Sequence, residues 1–296
     1  FLAFICRAVG PVPVIADVGR LRRLYMATST QWQLARDAAE RYERILVPAI
    51  LGPAARALVE WSDLRAGQGV LDVGCGTGAA ARFAAEIVGP SGRVAGVDVN
   101  SGMIDVARSL LPVRGAAIEW FENSAYQLPF LEGEFDVALC AQTLQFLEDR
   151  PRALGEMYRI LKPGGRIAVS LWCDIRESPY FDVLVQAVTK SIGAETAAGL
   201  CAAFSLSDPE TIRALLTDAG FKNVKATVKQ LDLELPKPRD FVPRHVSATP
   251  MSAGFNAASE EARRTVVNDV SEHLLLYETD QGIRVPFRTH LAMGAK

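Results

Sequence analysis

The residues best placed by type and spacing to do chemistry are Val70-Leu71-Asp72-Val73-Gly74-Cys75-Gly76-Thr77-Gly78. This apolar run ends in three alternate glycines and leads straight into a helical pattern. Glycines there let the backbone turn sharply and lie against a ligand, and the amides that open a helix favour a negatively charged or electron-rich group. Read as G-x-G-x-x-A, the same stretch also suits a dinucleotide, and a plain strand-to-helix turn would use it with no ligand at all. Asp98 ends the next apolar run, Gly96-Val97-Asp98-Val99, 20 residues beyond Gly78, where a carboxylate can accept both hydroxyls of a ribose. Glycine loop and diol acceptor together point to an adenosine-type ligand.

A loop of this kind works only at the carboxyl end of a strand, and the chain alternates helical periodicity with short apolar runs as a doubly wound α/β protein does. Compact runs at 70–73, 93–98, 117–121, 135–140 and 166–172 predict strands buried on both faces of a mainly parallel sheet. Helices are predicted over 31–44 and 49–61, with a break at Pro48, and further helices start near Gly78, Ser101 and Asp149. After a helical region over 178–200, Ser207 and Glu210 have capping-box spacing before a helix that ends at Gly220. In the long strand that follows, apolar parity is even at Val224, Ala226 and Val228 but odd at Leu231, Leu233 and Leu235, so a bulge near Gln230 is expected. The last strand, 283–293, must place Pro286 near its start or at a bulge, and residues 236–282 form a mixed loop and helical insert.

Composition excludes several classes of function. Of 296 residues 49% are hydrophobic, which a soluble protein with a large core requires. The net charge is −2, and basic clusters are no denser than Arg20, Arg22, Arg23 and Arg263, Arg264, too thin to track a phosphate backbone, so no nucleic-acid partner is expected. The five cysteines (Cys6, Cys75, Cys140, Cys173, Cys201) form no C-x-x-C pair and read as reduced, buried thiols of a cytoplasmic protein. His245, His273 and His290 are isolated, so no metal is expected. The first apolar stretch is broken by Gly10, Pro11 and Pro13 and does not span a membrane; Met26 reads as a natural start, so residues 1–25 are expected to be a poorly packed leader.

With these elements placed, the chain resembles the class I methyltransferases that use S-adenosylmethionine, in the broad type-11 group that includes quinone-ring and other small-molecule methyltransferases. The resemblance rests on the glycine loop and Asp98, and on four further segments: Asn123-Ser124-Ala125 with Leu128-Pro129-Phe130, Phe135 to Cys140, Leu161-Lys162-Pro163-Gly164-Gly165-Arg166, and Ala39-Glu40-Arg41-Tyr42-Glu43. It runs from about Trp32 to the C-terminus, more loosely over 173–280. It implies a Rossmann-like, seven-stranded sheet with the last strand antiparallel. It also implies one domain over 26–296: an N-terminal helical cap at 26–66, a cofactor core at 67–172, and acceptor caps at 173–206 and 236–282.

Carried over by position, the resemblance gives Asp72, Gly74, Cys75, Gly76 and Gly78 to the methionine end of S-adenosylmethionine and Asp98 to its ribose. Val99 and Met103 flank the adenine, with Ser124 and Ala125 at its edge, and Cys140, Ala141 and Gln142 line the amino-acid tail and the methyl. Many members carry Asp where Ser124 stands, so a hydroxyl replaces a carboxylate, a bond of about 1 kcal/mol net. Ligands of such sheets lie outside the carboxyl ends of the strands, which puts Gln145, Phe146 and Trp172 at the acceptor, with Trp32 and Tyr42 closing its remaining side from the N-terminal helix. Gln142, Tyr42 and His245 are the candidate catalytic side chains, His245 as a base toward a hydroxyl or phenol, although a solvated loop histidine is the plainer reading. His290 alternates outward and reads as structural.

The resulting expectation is methyl transfer by in-line displacement to a neutral small molecule, leaving S-adenosylhomocysteine, with O, N and C acceptors all open and the chain a monomer or homodimer. A protein that binds the cofactor without transfer has the same glycine loop, and only an open acceptor channel near Gln142 and Trp172 tells the two apart. A nicotinamide-dependent oxidoreductase fits less well, because the Leu128-Pro129-Phe130 and Lys162-Pro163-Gly164-Gly165 segments match no dehydrogenase pattern.

Overall fold

A computed structural model describes residues 36–296, so the leader, Cys6, Met26 and Trp32 lie outside the described residues. Seven strands form one sheet: β1 (Gly69–Val73), β2 (Arg93–Asp98), β3 (Ile118–Glu122), β4 (Phe135–Ala141), β5 (Leu161–Trp172), β6 (Lys222–Pro236) and β7 (Gly282–Ala295). Their order is β3-β2-β1-β4-β5-β7-β6, with β1 to β5 parallel and β7 antiparallel to both its neighbours. The strand order reverses between β1 and β4, and the glycine loop leaves the sheet there.

Every residue of β1 is buried, as its unbroken apolar run requires. Leu71 and Val73 pack to one side with Leu128, Leu154 and Met157, whereas Val70 packs to the other with Leu58, Ala81 and Ala84. Leu154 and Met157 belong to helix α5 (Arg150–Ile160), which Asp149 caps by accepting the Arg152 amide, as expected. The opposite layer is α2 (Gly52–Trp61) and α3 (Ala79–Val88).

Helix α1 (Arg36–Leu46) does not break at Pro48. Residues Val47–Leu51 form a π-helical turn that carries it directly into α2. The wider turn takes a proline that an α-helix interior rejects, and it closes with the Gly52 amide donating to Val47 O. A Cβ on Gly52 would lie 2.6 Å from that oxygen, so glycine is required.

No bulge lies near Gln230. The β6–β7 register is continuous from Lys225 to Pro236 and shifts only between Lys222 and Lys225. The parity change has another cause: Val224 and Ala226 pack on the core beneath α8 (Pro209–Asp218), while Leu231, Leu233 and Leu235 pack on a different core across the sheet. Pro286 sits in the part of β7 beyond Thr289, where β5 no longer pairs, so its missing N–H breaks no ladder bond on that side. Helix α8 is capped by Asp208, which accepts the Thr211 amide at 2.9 Å, in place of the expected Ser207.

The third core covers the carboxyl end of β5 and is built from α6 (Pro179–Ser191), α7 (Ala194–Cys201), α9 (Pro238–Ser247), α10 (Ser252–Ala257) and α11 (Glu260–His273). Among the described residues no helix is long and apolar enough to cross a membrane.

Candidate functional site

One cavity of about 390 Å³, within the range of small-molecule sites, runs along the carboxyl ends of β1, β2 and β4 and on beneath the third core. Its first half is the glycine loop. Gly74, Gly76 and Gly78 all have positive φ (69°, 54° and 89°), where L side chains are strained. Each also answers to a different neighbour. A Cβ on Gly74 would collide with Thr143, whose hydroxyl donates to Gly74 O at 3.0 Å, and one on Gly78 would collide with the Trp120 ring. Over Gly76 the space is open up to the Tyr42 hydroxyl, 3.6 Å from where a Cβ would stand. Of the three, Gly76 is therefore the one whose missing Cβ is not accounted for by a protein side chain packed against it.

Four of the loop amides are engaged within the protein, whereas no bond within the described residues engages the Thr77, Ala79 and Ala80 amides at the helix start. Gly74 and Cys75 donate to Val97 O, Gly78 donates to Cys75 O, and Gly76 donates to Asp98 Oδ2 at 2.8 Å. The loop thus presents glycine backbone to the cavity while the Gly74, Cys75 and Gly76 amides tie it to β2. Asp98 Oδ1 accepts the Asn100 amide at 2.9 Å, which leaves each carboxylate oxygen a lone pair for a diol. Burial raises the Asp98 pKa above its ordinary value. Asp72 accepts the Ala81 amide on Oδ2 at 3.0 Å, its Oδ1 is buried without a partner, and burial pushes its pKa up to about 7.

At the adenine end, Met103 is buried on α4 (Ser101–Ser109) and Val99 is 57% exposed, with Ser124 and Ala125 on the far wall. Ser124 Oγ accepts the Tyr126 amide at 3.2 Å, so its hydrogen is left to donate. Cys140 and Gly78 do not reach the cavity. Cys140 follows the strand alternation into the core behind β4, where burial pushes its thiol up to about 12, while Ala141 turns to the cavity. Cys75, Cys140 and Cys173 are buried free thiols, and Cys201 is half-buried.

Tyr42 reaches the loop because α1 is held at two points. Glu43 pairs with Arg82 at 3.1 Å, and Arg41 donates to Ser247 O at 3.2 Å. Burial, with Asp98 nearby, raises the Tyr42 pKa, so its hydroxyl stays protonated.

Gln142 stands at the junction of the two halves with φ +52°, a strained value for a non-glycine residue. Its side chain belongs to a relay whose direction is fixed at one end. Thr289 donates to Leu171 O and so accepts from Gln142 Nε2 at 3.1 Å, which turns Gln142 Oε1 toward Gln145 Nε2 at 3.3 Å. Gln145 is buried, with its Oε1 unpartnered. Trp172 and half-buried Phe146 complete the predicted wall.

His245 is not a solvated loop residue. It lies buried on α9 in the cavity wall, Nδ1 2.7 Å from the Tyr180 hydroxyl, and burial pushes its pKa down to about 3. A ring that resists protonation to this degree is a poor base at neutral pH. His290 is buried rather than outward, with Nε2 bonded to Ser207 O. Sequence reasoning did not single out Ile50, Phe181, Leu200 or Thr249, which also line the acceptor half. Apolar periodicity marks Ile50, Phe181 and Leu200 only as helix faces, and Thr249 follows α9 with no motif to mark it, so the packing of helices decides which of them meets a ligand.

The residues fit the proposed cofactor on three observations: a glycine whose absent Cβ leaves room, a fixed carboxylate with spare lone pairs, and a buried, unpartnered oxygen on Asp72. Glycine loop, diol acceptor and this strand order together define a class I methyltransferase. The type-11 methyltransferase domain family matches residues 71–169. The ubiquinone/menaquinone biosynthesis C-methyltransferase UbiE of Ectopseudomonas mendocina is 34% identical over 57% of this chain and 71% of its own length. A chloroplastic 2-phytyl-1,4-beta-naphthoquinone methyltransferase of Arabidopsis thaliana is 43% identical over 38% of this chain, which spans only 44% of that enzyme. Among solved structures, a SAM-dependent methyltransferase of Thermotoga maritima, described as a possible histamine N-methyltransferase, shares the fold at TM-score 0.52. The two are 24% identical, with 88% of this chain and 97% of that one covered. The chain belongs to the class I S-adenosylmethionine-dependent methyltransferases of the type-11 group.

Proposed function

We propose that the chain methylates an uncharged, hydroxylated aromatic small molecule, such as a quinol or phenol, by in-line displacement. The observation that carries this reading is the continuity of the cavity: the space bounded by Asp98, Gly76 and Met103 passes Gln142 and opens onto Trp172, Phe181 and His245. A filled acceptor half would instead favour a protein that binds cofactor without transfer. When bound, S-adenosylmethionine supplies a methyl group already activated by its sulfonium. The protein's part is then alignment and dehydration, which can contribute on the order of 7–11 kcal/mol. Asp98 would hold the ribose, Gly74 to Gly76 would lie under the methionine end, and the Tyr42 hydroxyl would close the near side. The helices over 173–206 and 236–282 would shape the acceptor pocket.

Among the described lining residues the acceptor half carries no charged side chain: Leu46, Ile50, Gln145, Phe146, Trp172 and Phe181 are apolar or neutral. A cationic amine would enter it unpaired, at a desolvation cost of several kcal/mol. An electron-rich ring needs neither a counter-ion nor a strong base, and the quinone-acting relatives support the same class. The test is transfer of radiolabelled methyl from S-adenosylmethionine to a panel of quinols, phenols and primary amines, with mass analysis of the products. Label should enter the hydroxylated aromatics alone; label in the amines, or in nothing, overturns the reading.

A further inference from the structure

In the acceptor half, the His245 ring offers a nitrogen that no described residue uses. His245 and Tyr180 are both closed to solvent, and the Tyr180 hydroxyl makes a single hydrogen bond among the described residues, to His245 Nδ1. That bond has a direction. If Nδ1 carried the ring hydrogen, the phenol hydrogen of Tyr180 would be buried with no acceptor, which is the costlier arrangement. Tyr180 therefore donates, Nδ1 accepts, and in a neutral imidazole the remaining hydrogen sits on Nε2. Phe241 stacks on the ring at 5.6 Å and 18°, and Phe181 packs at 5.8 Å, so the imidazole is held in both position and tautomer. Burial keeps it uncharged. Nε2 bonds to no described residue, and His245 belongs to the cavity wall.

We propose that His245 Nε2–H is a fixed, neutral donor that binds an oxygen atom of the methyl acceptor, with Tyr180 as the positioning residue that sets its tautomer. This rests on the methyltransferase reading and deepens it. The acceptor must carry an oxygen with a free lone pair, carbonyl or phenol, and His245 anchors that oxygen instead of removing a proton from it.

Two probes differing by one oxygen test the assignment on protein loaded with S-adenosylhomocysteine: 1-tetralone, an aromatic ketone, and tetralin, its hydrocarbon counterpart. The ketone should bind about tenfold more tightly, the effect of one well-placed hydrogen bond. His245→Leu should abolish the preference, His245→Gln should keep most of it by restoring an N–H, and Tyr180→Phe should reduce it severalfold. Affinity for S-adenosylhomocysteine should be unchanged in all three. Nitrogen-15 spectra of histidine-labelled wild type need no variant to fold; they should show Nε2 protonated and Nδ1 not, with mixed tautomers in Tyr180→Phe. A ring protonated on Nδ1, equal affinity for the two probes, or a preference that survives His245→Leu overturns the proposal. Failure to bind S-adenosylhomocysteine overturns the methyltransferase reading as well, whereas tight binding with no ketone preference sinks the His245 assignment alone.

Discussion

Asp98 has its carboxylate fixed by the Gly76 and Asn100 amides before any ligand arrives, so its orientation needs no ordering on binding. Asp98→Ala should weaken S-adenosylhomocysteine binding about 10–100-fold, the effect of losing charge-assisted bonds to a diol, as titration calorimetry would measure. Unchanged affinity would remove the ribose role. Asp72 behaves differently because its charge is buried with one oxygen unpartnered. Its folded pKa is raised from the ordinary 3.8 to about 7, so its contribution to stability is fully present below pH 4 and lost as pH rises through 7. Asp72→Asn keeps an oxygen for the Ala81 amide but carries no charge. Relative to wild type, the ligand-free variant should gain stability between pH 4 and 8, on the order of a few kcal/mol, in melting curves taken across that range. A parallel pH dependence in the two proteins would show that burial does not raise the Asp72 pKa. Sequence spacing located Asp98 and the family resemblance Asp72; neither could tell that both oxygens of Asp98 would accept amides while one oxygen of Asp72 is left without a partner.

Within single elements, the π-turn at Val47–Leu51 sets the angular position of Tyr42 relative to α2. One helical residue corresponds to about 100° of rotation, so deleting Ala49 should convert the turn to α-helix and swing Tyr42 off the glycine loop. The deletion should cut cofactor affinity by about tenfold or more while the sheet core still melts cooperatively, read by calorimetry and circular dichroism together. Retained affinity would mean that Tyr42 does not cover the site. The sequence showed a helix on each side of Pro48, but propensity alone favours a break there, and only Gly52, which the Val47 carbonyl crowds, hints at a wider turn. Likewise, the parity change in β6 was legible and its cause was not. One strand can serve two cores on opposite faces without any bulge, and the second core exists only once the C-terminal helices are packed.

At the scale of the whole molecule, β6 is the last strand of the sheet among the described residues, its outer edge paired with no other described strand, and Lys225 and Lys229 stand exposed on it. Charged side chains on an edge strand oppose pairing with a second sheet. Replacing both with valine should produce concentration-dependent association in analytical ultracentrifugation, with no loss of cofactor affinity; a variant that sediments as wild type would show that the edge is protected by other means. The amino-acid sequence by itself determined where the strands lie, that the sheet is mainly parallel, and the cofactor loop, because apolar runs and a glycine-ended strand are written in neighbouring residues. However, β3 is half-exposed where burial on both faces was expected, and the strand order is set only by tertiary pairing. Tertiary packing alone decided that Gly78 serves Trp120, that Cys140 faces away from the cavity, and that His245 is buried against Tyr180. The physical reason is separation along the chain: Tyr180 and His245 lie 65 positions apart, and nothing local to either residue encodes the contact that gives both their chemistry.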